Sequence, residues 1–263
     1  MGKVYIVGCG PGDPELLTLK AFRIIQNLDV ALIDHLISEE IIQLIPKKTK
    51  IIYVGKQKGK ITLKQEEINK LMYELAKQEL LVGRLKSGDP YIFGRGAEEA
   101  IYLLERGIDV EVISGVSSAL AAPLYAGIAP TCRGYATNLS IVSAHLRGNK
   151  FNKDWIPLLK IPNHTTIVLM GLSRAKEIKE EALKHDIPTN MPVAIISNAT
   201  RENQKTFITT LEELPEIAKK AEKPAILVFG NVVKLNKYLL KKKNYELKSN
   251  SKIGLNKNYI KNV

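Results

Sequence analysis

Lys3-Val4-Tyr5-Ile6-Val7-Gly8-Cys9-Gly10-Pro11-Gly12-Asp13-Pro14-Glu15 opens the chain with an apolar, β-branched run. The run stops on glycines and restarts on an acidic residue followed by proline. This reads as a buried strand, a tight turn and a helix start: Asp13 caps, Pro14 takes the first helical position, and Glu15 sits at the positive helix end. The same grammar recurs. Val30–Ile33, Ile51–Val54, Leu80–Leu85 and Val110–Ile113 are short β-branched runs of the kind buried in parallel sheets. Between them lie helical patterns. Ser38 precedes Glu39 and Glu40, and Thr62 with Gln65 makes a capping box ahead of Ile68, Leu71, Met72 and Leu75. Strand and helix in alternation predict an open parallel sheet with right-handed crossovers.

Beyond Ser114–Pro130, where Gly115, Pro123, Gly127 and Pro130 cluster, the strand candidates are Leu139–Val142, Thr166–Leu169, Val193–Ile196, Thr206–Thr209 and Ile226–Phe229, with a helix over Glu212–Ala221. Only the short polar stretch Asn198–Gln204 separates two of these strands. That predicts antiparallel pairing and a mixed sheet. The expected division is an α/β domain over 1–114, a second over 115–241, and a basic tail over 242–263.

The chain of 263 residues is 45% hydrophobic and carries a formal net charge of +12. From Lys234 onward nine lysines face one acid, Glu246, a balance of +8, so the body holds only +4. A body so near neutrality argues against a nucleic-acid partner, and the lysine-rich tail reads as a solvated extension or, alternatively, an arm for an anionic partner. Two distant cysteines, Cys9 and Cys132, give no disulfide framework and point to the cytosol. No apolar stretch reaches the length of a membrane span. The histidines His35, His145, His164 and His185 form no metal-like spacing and read as packing or surface residues.

The glycine turn invites a dinucleotide reading, with Asp34 about twenty residues on as the ribose acid. Two residues oppose it. Asp13 stands where the third glycine should, and its carboxylate would repel a pyrophosphate; Pro11 removes a backbone N–H that would cradle one. The turn lets the backbone approach something closely, and that something is not a phosphate. Four more strand ends carry unusual residues at the same edge: Asp34-His35, Gly55-Lys56, Lys86-Ser87-Gly88-Asp89-Pro90 and Ser114-Gly115-Val116-Ser117-Ser118. In a parallel sheet, ligands bind outside the carboxyl ends of the strands. The run Arg84 to Glu99 packs glycines, Pro90 and several charges into one loop, a composition typical of function.

Val7 to Lys20 resembles the opening motif of the tetrapyrrole methylases. Arg84 to Glu99 resembles the second signature of the uroporphyrinogen-III C-methyltransferases within that family. Asp34–Ser38, Val54–Lys56, Gln65–Asn69, Tyr125–Arg133 and Leu169–Gly171 are similar to family segments in order and spacing, so the resemblance covers roughly residues 3–240. It implies a two-domain tetrapyrrole methylase fold with the active site in the cleft between domains, a homodimer, and S-adenosylmethionine as methyl donor, leaving S-adenosylhomocysteine and needing no metal. The implied cofactor contacts are Pro11, Ser87, Gly88, Asp89, Ile92, Ser117, Ser118, Met170 and Ala199. Asp34 matches the family's proposed proton acceptor and Lys56 its proposed proton donor. Ser87, His35, Cys132 and Ala199 depart from the residues usual in the family. The implied substrate is uroporphyrinogen III, methylated at two pyrrole carbons to precorrin-2 through precorrin-1. Its eight carboxylates make Lys56, Arg95 and Arg133, with Arg147 beside them, candidate contacts. The alternatives are a sibling precorrin methyltransferase of cobalamin synthesis or a diphthine synthase. A nicotinamide oxidoreductase is opposed by Pro11 and Asp13.

Overall fold

The computed structural model describes residues 2–55 and 63–240. Lys56, Thr62 and the tail from residue 241 lie outside the described residues, so the expectations placed on them find no test here. All ten expected strands are present, each within one or two residues of its expected ends.

The first sheet contains β1 (Lys3–Gly8), β2 (Val30–Ile33), β3 (Lys50–Tyr53), β4 (Leu81–Lys86) and β5 (Asp109–Ile113). All its pairings are parallel, in the order β3-β2-β4-β1-β5. Alternation along the strands divides its side chains between two cores. Val4, Ile6, Val30, Leu32 and Val82 face one way and pack on Ile68, Met72 and Leu75 of α3 (Gln65–Lys77) and Ala100 and Leu103 of α4 (Gly96–Leu104). Val7, Ala31, Ile33, Leu85 and Ile113 face the other way, onto Ala21 and Ile25 of α1 (Leu19–Ile25) and Ile41 of α2 (Glu39–Ile42). A fully buried side chain such as Met72 or Ile25 contributes about 1.5–3 kcal/mol by leaving water.

α3 begins at Gln65, and the Glu67 carboxylate accepts the Lys64 N–H at 2.5 Å. One helix cap differs from expectation. Ser38 precedes α2, but its hydroxyl donates to the Gly12 carbonyl at 2.6 Å instead of capping. Asp13 behaves as expected: its Oδ1 accepts the Glu15 N–H at 2.9 Å over the short turn Pro14–Leu16.

The second sheet contains β6 (Asn138–Ser143), β7 (His164–Leu169), β8 (Pro192–Ser197), β9 (Lys205–Thr210) and β10 (Ala225–Phe229), in the order β6-β7-β10-β8-β9. β6 and β7 run parallel; β10 is antiparallel to β7 and β8, and β8 to β9. The sheet is therefore mixed, as the short Asn198–Gln204 connection required. One face packs on α6 (Ala175–Lys184) and α7 (Leu214–Ala218), a shorter helix than the ten residues expected. The other face receives Ala119, Ala122 and Ala126 at and just after α5 (Ser118–Tyr125). No helix among the described residues is long and apolar enough to cross a membrane.

Candidate active site

What the glycines approach is other main chain. Gly10 and Gly88 exchange hydrogen bonds, Gly88 N–H to Gly10 O at 2.7 Å and Gly10 N–H to Gly88 O at 3.2 Å. A Cβ on Gly8 would lie 2.5 Å from the Gly115 nitrogen, and one on Gly115 would lie 2.6 Å from the Gly8 carbonyl carbon and collide with the Gly88 carbonyl oxygen. The loops after β1, β4 and β5 thus lock together backbone to backbone, at the point where chain order reverses across the sheet. Gly10 and Gly88 both have φ near +72°, a conformation that glycine adopts without strain.

Beside this corner lies a buried charge network. The Arg84 side chain, within β4, donates from Nε to Glu99 Oε1 at 3.0 Å and from Nη2 to both oxygens of Asp34 at 2.9 Å. Lys86 Nζ and Gln65 Nε2 also reach Glu99 Oε1, each at 3.0 Å. Glu99 is fully buried, and Arg84 and Lys86 nearly so. Burial alone would favour loss of the Arg84 proton, but Glu99 and Asp34 outweigh it and hold that group above its ordinary value. For Lys86, burial and the Arg84 charge win over the pull of Glu99, and its affinity for a proton falls below the usual lysine range.

Asp34, Gln65, Arg84 and Lys86 of this network line a cleft of about 1370 Å³ walled by loops of both sheets, while Glu99 is no part of its wall. Pro11, Asp34, Ser87, Gly88, Asp89, Ile92, Arg95, Ser117, Ser118, Met170 and Ala199 all line it. Arg133 does not: it stands exposed beside the Cys132–Ala136 turn, and Arg147 likewise is no part of the wall. Asp89 is fixed by three donors, the Tyr91 N–H at 2.8 Å, the Ser114 hydroxyl at 2.7 Å and the Gly115 N–H at 3.1 Å. Five non-glycine residues of the wall, Phe93, Arg95, Asn149, Met170 and Asn198, hold positive φ, a conformation costing of order 1–3 kcal/mol where the surroundings impose it.

The walls are tied across the cleft. Tyr125 donates its hydroxyl to Asp13 Oδ2 at 2.9 Å, the Asp13 N–H reaches the Thr200 hydroxyl at 3.1 Å, and Arg201 Nη2 donates to the Leu36 carbonyl at 2.6 Å. Burial and the Asp13 carboxylate push the Tyr125 phenol up to about 12.

The sequence matches the family Tetrapyrrole (Corrin/Porphyrin) Methylases over residues 3–215. The chain belongs to the tetrapyrrole methylases. This tetrapyrrole methylase is 44% identical over 235 residues to a uroporphyrinogen-III C-methyltransferase of Methanocaldococcus jannaschii, covering 88% of this chain and 97% of that one. It is 42% identical over 240 residues to a siroheme synthase of Methylobacillus flagellatus, covering 90% of this chain and 51% of that protein. The chain thus spans about half the length of the siroheme synthases it matches. Its fold matches the crystal structure of uroporphyrin-III C-methyl transferase from Thermus thermophilus complexed with S-adenyl homocysteine, with a TM-score of 0.78 at 39% identity, covering 89% of this chain and 100% of that one.

Sequence reasoning named Arg84 and Glu99 only as the ends of a motif. Their partnership beside the methylase cleft, and that of Arg84 with Asp34, follows from no local pattern. The available signal was an arginine and a lysine two apart in a strand otherwise fully apolar, which demands a buried counter-charge. Of the departures from the family pattern, Ser87 turns its hydroxyl to the Gly10 carbonyl at 3.5 Å, the outer limit of a hydrogen bond.

Proposed function

We propose that this tetrapyrrole methylase transfers methyl groups from S-adenosylmethionine to two pyrrole carbons of uroporphyrinogen III, giving precorrin-2 by way of precorrin-1. The observation that carries the reading is convergence. Nine residues implied as cofactor contacts and Asp34 come from six loops and both sheets to one cleft, in a chain similar to a uroporphyrinogen-III C-methyltransferase over nearly that protein's whole length.

The wall suits a nucleoside without phosphate. Pro11 has no N–H to offer, and Asp13 is spent on Tyr125 and on its own turn. Ile92, Met170 and Ala199 present apolar surface, and Ser87, Ser117 and Ser118 present short hydroxyl side chains. When bound, S-adenosylmethionine supplies an electrophilic methyl on a sulfonium sulfur. The chain then has to position the pyrrole carbon in line with it and relieve the ring of one proton once the carbon–carbon bond has formed. Asp34 is proposed to take that proton or to steady the ring nitrogens, with its carboxylate held in one orientation by Arg84. Lys56 is proposed as proton donor. Arg95, whose guanidinium meets Glu98 at 2.7 Å, is proposed to hold a substrate carboxylate, and Arg133 to hold another beyond the cleft wall.

Three further proposals complete the reading. The chain divides at 114/115, in keeping with the packing of α5 on the second sheet. It works as a homodimer, in keeping with the exposed Leu120 and Leu124 on α5. It acts in the cytoplasm. The deciding experiment incubates the chain with methyl-labelled S-adenosylmethionine and uroporphyrinogen III and counts methyls per tetrapyrrole. Two are expected; none, or acceptance of only an already methylated precorrin, would replace the reading with a sibling activity. Titration with S-adenosylhomocysteine and with NAD separates the methylase from an oxidoreductase.

A further inference from the structure

The proposed substrate carries eight carboxylates, yet four cations of the cleft wall are already spoken for. Arg84 is matched by Asp34 and Glu99, and Lys86 by Glu99. Arg95 is matched by Glu98 and Arg174 by Glu177. The four groups of the central network, two acids and two bases, sum to zero. An anion entering the cleft would have to compete with these partners for each guanidinium.

Arg201 differs. It lies in the connection between β8 and β9, and it lines the cleft while half-buried. Among the described residues it is the one cleft arginine with no carboxylate within ion-pair distance. Among the described residues its side chain makes one hydrogen bond, from Nη2 to the Leu36 carbonyl at 2.6 Å, and its buried Nε has no partner. A guanidinium has five N–H groups to place, and leaving a partly desolvated one unpaired is costly. Burial lowers its hold on the proton, and the only carboxylate whose field opposes that is Glu40, which makes no contact with it. The bond to Leu36 also fixes where the charge sits, because Leu36 is two residues beyond Asp34 in the same loop. The stem packs over the glycine turn: a Cβ on Gly12 would meet Arg201 Nε at 2.7 Å and Cγ at 2.8 Å. The unpaired charge therefore stands at the joint of the two walls, beside the segment that carries Asp34.

We infer that Arg201 is a carboxylate-binding residue of the cleft, placed to take an acidic arm of the tetrapyrrole whose ring lies over Asp34. The inference rests on the proposed substrate and adds a specificity residue to it. Its bond to the Leu36 carbonyl serves as the tether that keeps the guanidinium from folding into solvent between turnovers.

The test compares the wild-type chain with Arg201→Met, Arg201→Gln and Arg201→Lys. KM and kcat are measured for uroporphyrinogen III, and affinity for S-adenosylhomocysteine is measured by calorimetry. Coproporphyrinogen III, with four carboxylates in place of eight, serves as a competitive inhibitor. Met and Gln are expected to raise KM for uroporphyrinogen III roughly ten- to a hundredfold, the worth of one charge-assisted hydrogen bond, with the loss falling on KM more than on kcat. Lys is expected to recover part of it, and the inhibition constant of coproporphyrinogen III to change less than KM. S-adenosylhomocysteine affinity is expected to hold. A loss confined to S-adenosylhomocysteine would move the carboxylate to the cofactor and overturn the assignment. So would an unchanged KM, or a lowered melting temperature with equal losses for both tetrapyrroles, the mark of a purely structural strap. A wild-type chain inert toward uroporphyrinogen III would bring down the proposed function and this assignment with it, whereas an active wild type with an indifferent Arg201→Met would remove the assignment alone.

Discussion

One nitrogen of Arg84, Nη2, stands 2.9 Å from both carboxylate oxygens of Asp34, while Nε of the same side chain is held by Glu99. The carboxylate is therefore aimed from beneath by a group that cannot itself turn. Asp34→Asn keeps the shape but removes the charge and one acceptor. Turnover is expected to fall by about 10²–10⁴-fold, the usual worth of a positioned proton-handling group, while S-adenosylhomocysteine affinity is kept. Equal losses in both would remove Asp34 from the proton-handling role.

Glu99 is the only acid fully buried in the network and serves two cations. Glu99→Gln leaves the packing nearly intact but strands the Lys86 charge and leaves Arg84 with Asp34 alone. A loss of about 3–5 kcal/mol in unfolding free energy is expected from urea titration. A midpoint equal to that of the wild type would mean water reaches the network and screens it.

Burial pushes the Cys9 thiol up to about 12, while Cys132 lies partly exposed. A thiol-reactive chromophore at neutral pH is expected to label one cysteine per native chain and both after denaturation. Labelling of Cys9 in the folded enzyme would show that the strand end at the glycine corner opens readily.

The Tyr125 phenol keeps its proton in the folded chain to about pH 12, whereas the unfolded chain releases it near 10.0. Between those values the folded state binds more protons, so stability falls as pH rises. The contribution is complete below about pH 10 and is lost as pH climbs through the folded value. Tyr125→Phe is expected to lower the denaturation midpoint near pH 8 and to flatten its decline in alkali. Parallel declines in the two proteins would place the alkaline sensitivity elsewhere.

Gly115→Ala puts a Cβ against Gly8 and the Gly88 carbonyl, with backbone on every side to resist it. A destabilisation of about 1–3 kcal/mol and loss of S-adenosylhomocysteine binding are expected. Gly107→Ala is the control: its Cβ would meet nothing within 4 Å, although its φ of +76° carries strain of its own. Binding retained in Gly115→Ala would show that the three loops move independently.

How far the sequence told this in advance follows from the range of each interaction. Strands such as Val30–Ile33 were legible because burial on both faces leaves an unbroken apolar run. The glycine corner was legible as a close approach, but not what it approached, since Gly8 and Gly115 are partners only through the sheet order. One cap was not legible because its side chain found a tertiary partner: Ser38 gives its hydroxyl to Gly12 instead of its own helix. The cleft residues were legible through motif resemblance, which carries their identity but not their pairing. Arg84 with Asp34 spans fifty residues and Arg201 with Leu36 spans 165, and no local pattern encodes either.

The corner where Gly8, Gly10, Gly88 and Gly115 meet has a consequence for how such an enzyme can diversify. A joint built from main chain alone offers no side chain to trade, so drift cannot reshape it by degrees. Variation is pushed outward to residues like Arg201 and Met170, which can be exchanged one at a time while the hinge-pin beneath them stays as it is.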